Sequence, residues 1–116
     1  IYVDDLQKDI ITDVEEDNNV KVTPTEFVLN QNYPNPFNPA TVISFSIPKA
    51  ENVKLYVYNL LGEKVTTLIN SDLNIGNHKV TWNGKNDFGI TVPSGVYFYK
   101  LETPSFNQSR KMILLK

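Results

Sequence analysis

From residue 27 onward, apolar and polar positions alternate with a period of two. Between 40 and 47, Ile43, Phe45 and Ile47 share one side and Ser44 and Ser46 the other. Between 52 and 58, Val53, Leu55 and Val57 alternate with Lys54, Tyr56 and Tyr58. Between 77 and 83, His78, Val80 and Trp82 alternate with Asn77, Lys79, Thr81 and Asn83. Successive side chains of an extended backbone point to opposite faces, so this pattern predicts strands buried on one side. Similar runs predict strands over 64–69, 96–102 and 108–115, and a short one over 27–29. Turn residues separate them, at Asn59-Leu60-Leu61-Gly62, Asn83-Gly84, Asp87-Phe88-Gly89 and Pro93-Ser94-Gly95. Each supplies a residue that tolerates positive φ or fixes a bend. No stretch carries a 3.6-residue apolar stripe. The predicted fold is all-β: an Ig-like antiparallel β-sandwich of about seven strands with no substantial helix. Trp82 is its natural core anchor, flanked by Val80 and His78 and aided by Phe45, and Gly95 precedes a fresh strand.

Residues 1–26 break the alternation. They hold eight acidic residues (Asp4, Asp5, Asp9, Asp13, Glu15, Glu16, Asp17 and Glu26) against Lys8 and Lys21. The acidic, polar run within them buries too little apolar surface to offset the entropy of ordering. Residues 1–26 are therefore expected to be an acidic linker, with Ile1-Tyr2-Val3 as the end of a preceding domain, and 27–116 to be one folded domain. The chain opens on Ile1 rather than Met and without a signal pattern, so it is expected to be a piece of something longer. The remainder has five acidic and nine basic residues, too weak and too even a balance to point to nucleic acid. Cysteine is absent, which excludes disulfides and thiolate metal sites. No apolar run approaches the roughly 20 residues of a membrane helix.

Four groups of residues stand out. Tyr33-Pro34-Asn35-Pro36-Phe37-Asn38-Pro39 is a stiff, extended arm, because each proline fixes φ, removes a donor and restricts its predecessor. Tyr33 and Phe37 are expected to tuck under the sandwich edge; a proline-rich ligand for an aromatic groove is the alternative. Asn83, Asn86 and Asp87 offer oxygens of the kind calcium takes, but Asx turns use the same residues. Tyr56/Tyr58 and Tyr97/Tyr99 are paired at i and i+2; one face of such a strand is core, or the pairs form a platform for sugar rings. Lys111, Met112, Ile113, Leu114, Leu115 and Lys116 form a closing strand bracketed by cations, open to a receptor by edge pairing. Catalytic constellations are missing: His78, the single histidine, falls on the apolar side as a satisfied core imidazole. No nucleophile motif or phosphate loop is present, so the chain is expected not to be an enzyme and to hold no cofactor.

The run Phe27-Val28-Leu29-Asn30-Gln31-Asn32-Tyr33-Pro34-Asn35-Pro36-Phe37-Asn38-Pro39 closely resembles the opening of type A C-terminal sorting domains of the type IX secretion system. So do Val57-Tyr58-Asn59-Leu60-Leu61-Gly62, Gly76-Asn77-His78-Lys79-Val80-Thr81-Trp82-Asn83-Gly84, Ser94-Gly95-Val96-Tyr97-Phe98-Tyr99-Lys100-Leu101 and the closing strand. The middle part also resembles the Ig-like module of flagellar hook-capping proteins. The first resemblance implies a non-catalytic module that directs an upstream cargo through the type IX translocation machinery to the cell surface or medium. It also implies a sortase-like protease as partner, cutting somewhere in residues 13–26, and residues 111–116 as the sorting signal. The domain is expected to be a monomer with at most weak glycan contact. A carbohydrate-binding or purely structural accessory module of a secreted enzyme is the competing reading.

Overall fold

The computed structural model describes residues 23–116. The expectations for Ile1-Tyr2-Val3 and for most of the acidic linker lie outside the described residues. Seven strands form: β1 (Val28–Leu29), β2 (Thr41–Ile47), β3 (Glu51–Asn59), β4 (Lys64–Leu73), β5 (Gly76–Trp82), β6 (Gly95–Thr103) and β7 (Phe106–Leu114). They make a three-stranded sheet in the order β1-β2-β5 and a four-stranded sheet in the order β4-β3-β6-β7, every pairing antiparallel. The described residues contain no helix. The fold is thus the antiparallel sandwich that the alternation predicts.

The inward faces follow directly from that alternation. Ile43, Phe45 and Ile47 of β2 oppose Val53, Leu55 and Val57 of β3, all fully buried, while Ser44 and Ser46 between them are only partly covered. On β6 the inward residues are Tyr97, Tyr99 and Leu101, facing the core beside Met112 and Leu114 of β7. Val96 and Phe98 lie on the outer face. Burying Tyr97 and Tyr99 raises both phenols above the ordinary value of 10.0, with desolvation as the leading cause. The folded chain then holds these protons more tightly than the unfolded chain. Stability is therefore expected to be full below pH 10.0 and to fall as pH climbs above it through the raised folded values. Denaturant midpoints measured across the alkaline range check this, and Tyr97→Phe with Tyr99→Phe should flatten the decline.

Trp82 is buried at the end of β5, and its indole N–H donates to the Lys85 carbonyl at 2.9 Å. Its ring meets Phe37 (centroids 5.5 Å apart) and the edge of Tyr97 (5.4 Å). The rest of β5 is less deeply placed than expected: Val80 and His78 are half-buried, because β5 is the outer strand of its sheet. His78 stacks on Phe45, and its Nε2 lies 2.8 Å from the Asn74 carbonyl, which can only accept, so this nitrogen carries the proton. The imidazole is satisfied, but at the rim of the core. Strand β4 is longer than its apolar pattern, since polar Asn70, Ser71 and Asp72 continue the ladder opposite Lys54, Val53 and Asn52. Gly84, at φ 77°, lets the loop after β5 approach Pro39; a Cβ there would lie 3.1 Å from the Pro39 carbonyl oxygen.

Candidate functional site

The proline arm is the element that organises the chain's end. Tyr33 and Val42 exchange both backbone hydrogen bonds (2.9 and 2.8 Å), which fixes the arm's start to β2. Extended geometry then puts neighbouring side chains on opposite sides. Asn32 points inward, where its amide donates to the Pro34 carbonyl (3.1 Å) and to Thr41 Oγ1 (2.9 Å), whose hydroxyl donates to the same carbonyl (2.8 Å). Tyr33 therefore points outward and is 81 % exposed, which corrects the expectation that it tucks under the edge. Phe37 does tuck in, fully buried against Trp82. Pro34, Pro36 and Pro39 space these contacts at the surface of the arm. Buried Asn32 and Thr41 escape sequence reasoning. Their signal is a polar pair flanking the prolines, which reads as ordinary turn chemistry until both are seen to be enclosed.

The arm then crosses to the other sheet and pairs with the last strand. The Phe37 N–H donates to the Ile113 carbonyl (2.9 Å), and the Leu115 N–H donates to the Phe37 carbonyl (3.0 Å). The Ile113 N–H donates to Asn35 Oδ1 (3.0 Å), and the Gln31 amide donates to the Lys111 carbonyl (2.7 Å). Arg110 reaches the Leu29 carbonyl through Nε (2.6 Å), and the Tyr99 hydroxyl donates to the Asn30 carbonyl (2.6 Å). The edge of β7 that was expected to lie open for pairing is thus covered at Lys111, Ile113 and Leu115. An exposed strand edge invites uncontrolled pairing, and the arm supplies the missing partner groups. The segment 111–116 keeps a two-sided character. Met112 and Leu114 are buried, Ile113 is half-buried, and Lys111, Leu115 and Lys116 face solvent. The Lys116 N–H donates to Ser94 Oγ (3.0 Å), beside Gly95, which opens β6 opposite Leu114.

The opposite edge of the same sheet is covered by the loop that holds the suggested cation ligands. The Asp87 N–H donates to the Val65 carbonyl (3.2 Å), and Asp87 Oδ1 accepts from Thr66 Oγ1 (2.7 Å) and the Thr67 N–H (3.4 Å). Asn86 Oδ1 accepts from the Phe88 and Ile90 amides (2.9 and 3.0 Å). Asn83 lies exposed just before Gly84. The three residues are neighbours in the loop, with the side-chain oxygens of Asn86 and Asp87 engaged as Asx-turn and strand-edge acceptors. No cluster of three or more His, Asp or Glu side chains occurs among the described residues. The tyrosines separate. Tyr56 and Tyr58 lie on the outer face of the four-stranded sheet, their rings 6.0 Å apart, with Lys64 Nζ 5.4 Å from the Tyr56 centroid. Tyr97 and Tyr99 belong to the core, so a platform built from both pairs does not form.

A family model described as the secretion system C-terminal sorting domain matches residues 31–115, from just before the proline arm to the end of β7. The chain belongs to that family. It is a type IX sorting domain, and it marks a protein for export to the cell surface or medium. The family is one of sorting signals rather than of enzymes. No curated protein matches the chain. Among solved structures, dimeric latent PorU from Porphyromonas gingivalis is similar with a TM-score of 0.61 at 18 % identity, covering 81 % of this chain and 10 % of PorU. FlgD from P. aeruginosa is similar with a TM-score of 0.52 at 23 % identity, covering 64 % of this chain and 58 % of FlgD. PorZ, a surface component of the type IX system of P. gingivalis, is similar with a TM-score of 0.52 at 17 % identity, covering 74 % of this chain and 11 % of PorZ. At these identities the likeness is one of fold. The sorting domain spans about a tenth of PorU and PorZ.

Proposed function

We propose that this sorting domain serves as the export module of a larger cargo and is read by the type IX translocation machinery in its folded form. The domain proper is residues 27–116, a monomer that binds no nucleic acid. The cargo precedes it, and a sortase-like protease cuts within residues 13–26. In this reading the signal is the segment Lys111, Met112, Ile113, Leu114, Leu115 and Lys116. One observation supports a folded signal above all: the backbone edge of that segment is already paired with Asn35 and Phe37. A receptor that added a strand there would first have to displace the arm. Recognition through the outward side chains Lys111, Ile113, Leu115 and Lys116 needs no such step. A reporter carrying the whole chain at its C-terminus, expressed in a type IX-competent host, should reach the cell surface or medium, while the reporter alone stays inside. Retention of both would overturn the proposal.

A further inference from the structure

Two loops at the end of the sandwich that holds the close of β7 are built on one plan. They are Asn59-Leu60-Leu61-Gly62-Glu63, between β3 and β4, and Asn86-Asp87-Phe88-Gly89-Ile90, between β5 and β6. In each, the asparagine Oδ1 accepts from the amides two and four residues on: Leu61 and Glu63 at 3.0 Å each, Phe88 and Ile90 at 2.9 and 3.0 Å. In each, the asparagine carbonyl accepts from the glycine N–H at 3.0 Å, and the asparagine N–H donates to the carbonyl four residues on at 2.9 Å. The glycines match too, with φ of 85° and 76°. Loops with so many internal hydrogen bonds hold their tips in place.

What these tips hold out is apolar. Leu60 and Leu61 are 70 % and 83 % exposed, and Phe88 and Ile90 are 86 % and 62 % exposed. Single exposed apolar residues are unremarkable, but a rigid group of four at one end of a small domain marks an interaction surface. The loops flank one open cleft of about 410 Å³, whose lining includes Glu63, Lys64, Asp87, Phe88, Pro93 and Tyr97. Leu60, Leu61 and Ile90 thus stand beside a cleft of mixed lining, with Phe88 at its wall and Glu63, Asp87 and Lys64 as its charged groups. Thr23–Glu26 sit beside Ser46 and Asn77, and Phe27 stacks on Phe106, both at the far end of the sandwich. The cleft lies near the end of the terminal segment, since Pro93 lines it and the adjacent Ser94 holds the Lys116 amide.

We infer that Leu60, Leu61, Phe88 and Ile90 are the grip by which a protein receptor of the export machinery holds this domain. The inference rests on the sorting function. The receptor offers two apolar sockets separated by a ridge bearing a basic or amide side chain. The four side chains are knobs that fill such sockets as buried anchors do at the centre of an interface. Charge favours a protein over an anionic bilayer, because the cleft between the loops carries two carboxylates, Glu63 and Asp87, against one cation, Lys64. Negative headgroups would repel the carboxylates, whereas a basic ridge complements them.

The test uses the reporter carrying the whole chain. Leu61→Ser with Phe88→Ser should lower export at least tenfold, with the melting temperature of the purified protein unchanged. Ile75→Ser, which alters an exposed apolar residue at the far end, should export like the parent. Glu63→Lys should also reduce export, and the purified parent should not float with anionic phospholipid vesicles. If the double variant melts early, Leu60→Ser with Ile90→Ser tests the same knobs from their other members. Parental export by a folded knob variant would overturn the grip and leave the sorting function intact. Failure of the parent fusion itself would overturn both. Flotation of the parent with vesicles, abolished in the double variant, would make the bilayer the occupant and overturn the receptor.

Discussion

Replacing Trp82 by alanine is expected to destabilise the domain by about 3–5 kcal/mol, the usual cost of deleting a large buried aromatic. The total stability of a domain this size is on the order of 5–15 kcal/mol, so the variant lies close to unfolding. The effect has three sources. The indole fills the space between Phe37 and Tyr97, and alanine leaves a cavity lined by rings that cannot collapse onto each other. The Lys85 carbonyl loses its donor. The loop after β5 is then held less firmly where Gly84 meets Pro39. Thermal unfolding measures the outcome. A fall in Tm on the order of 15 °C or more is expected for a domain of this length; a fall of only a few degrees would mean that Trp82 is not the anchor.

The second large effect belongs to Phe37. Phe37→Ala should cost about 3–5 kcal/mol of contact energy, but its consequence is local before it is global. The ring is what ties the arm to the core, while the arm's backbone and Asn35 hold the Ile113 and Leu115 amides. Without the ring the arm should open on its own. Amide hydrogen exchange at Leu115 and Ile113 should then accelerate by roughly 10²–10³-fold, at tenfold per 1.4 kcal/mol. Amides in the centre of β3 and β6 should be affected less. Equal acceleration everywhere would show that the arm and the sandwich unfold as one unit. No change at Leu115 would show that the arm is not what protects the end of β7.

Much of this architecture is legible in the residue pattern, and the exceptions have physical reasons. Strands β2 and β3 declare themselves because their inward positions are apolar and their outward ones mostly polar. Strand β6 is legible as a strand but not in orientation, since Val96 and Phe98 are as apolar as Tyr97 and Tyr99. Its register against β7, with Tyr97 opposite Met112, decides which pair is buried. The far half of β4 is polar and exists because β3 offers it a ladder to continue. Along the proline arm, the rings of Tyr33 and Phe37 suggest burial of both. The enclosed amide of Asn32 instead sets which side faces inward, and Tyr33 is left outside. The covering of β7 by the arm joins Phe37 to Ile113 and Leu115 across most of the domain, and no local pattern carries a contact of that separation. The twin loops were legible in principle. Asn followed three residues later by Gly, with an apolar residue just before the Gly, occurs at Asn59 and again at Asn86.

The family match makes this a sorting domain; the central proposal is that its terminal segment is read from a folded surface, through side chains that point outward. The direct measurement is export of the reporter carrying the whole chain, compared with the same fusion bearing Lys111→Glu, Leu115→Ser and Lys116→Glu. These three residues are exposed, so the melting temperature should hold while export falls at least tenfold. Export equal to the parent, with the domain still folded, would contradict the claim.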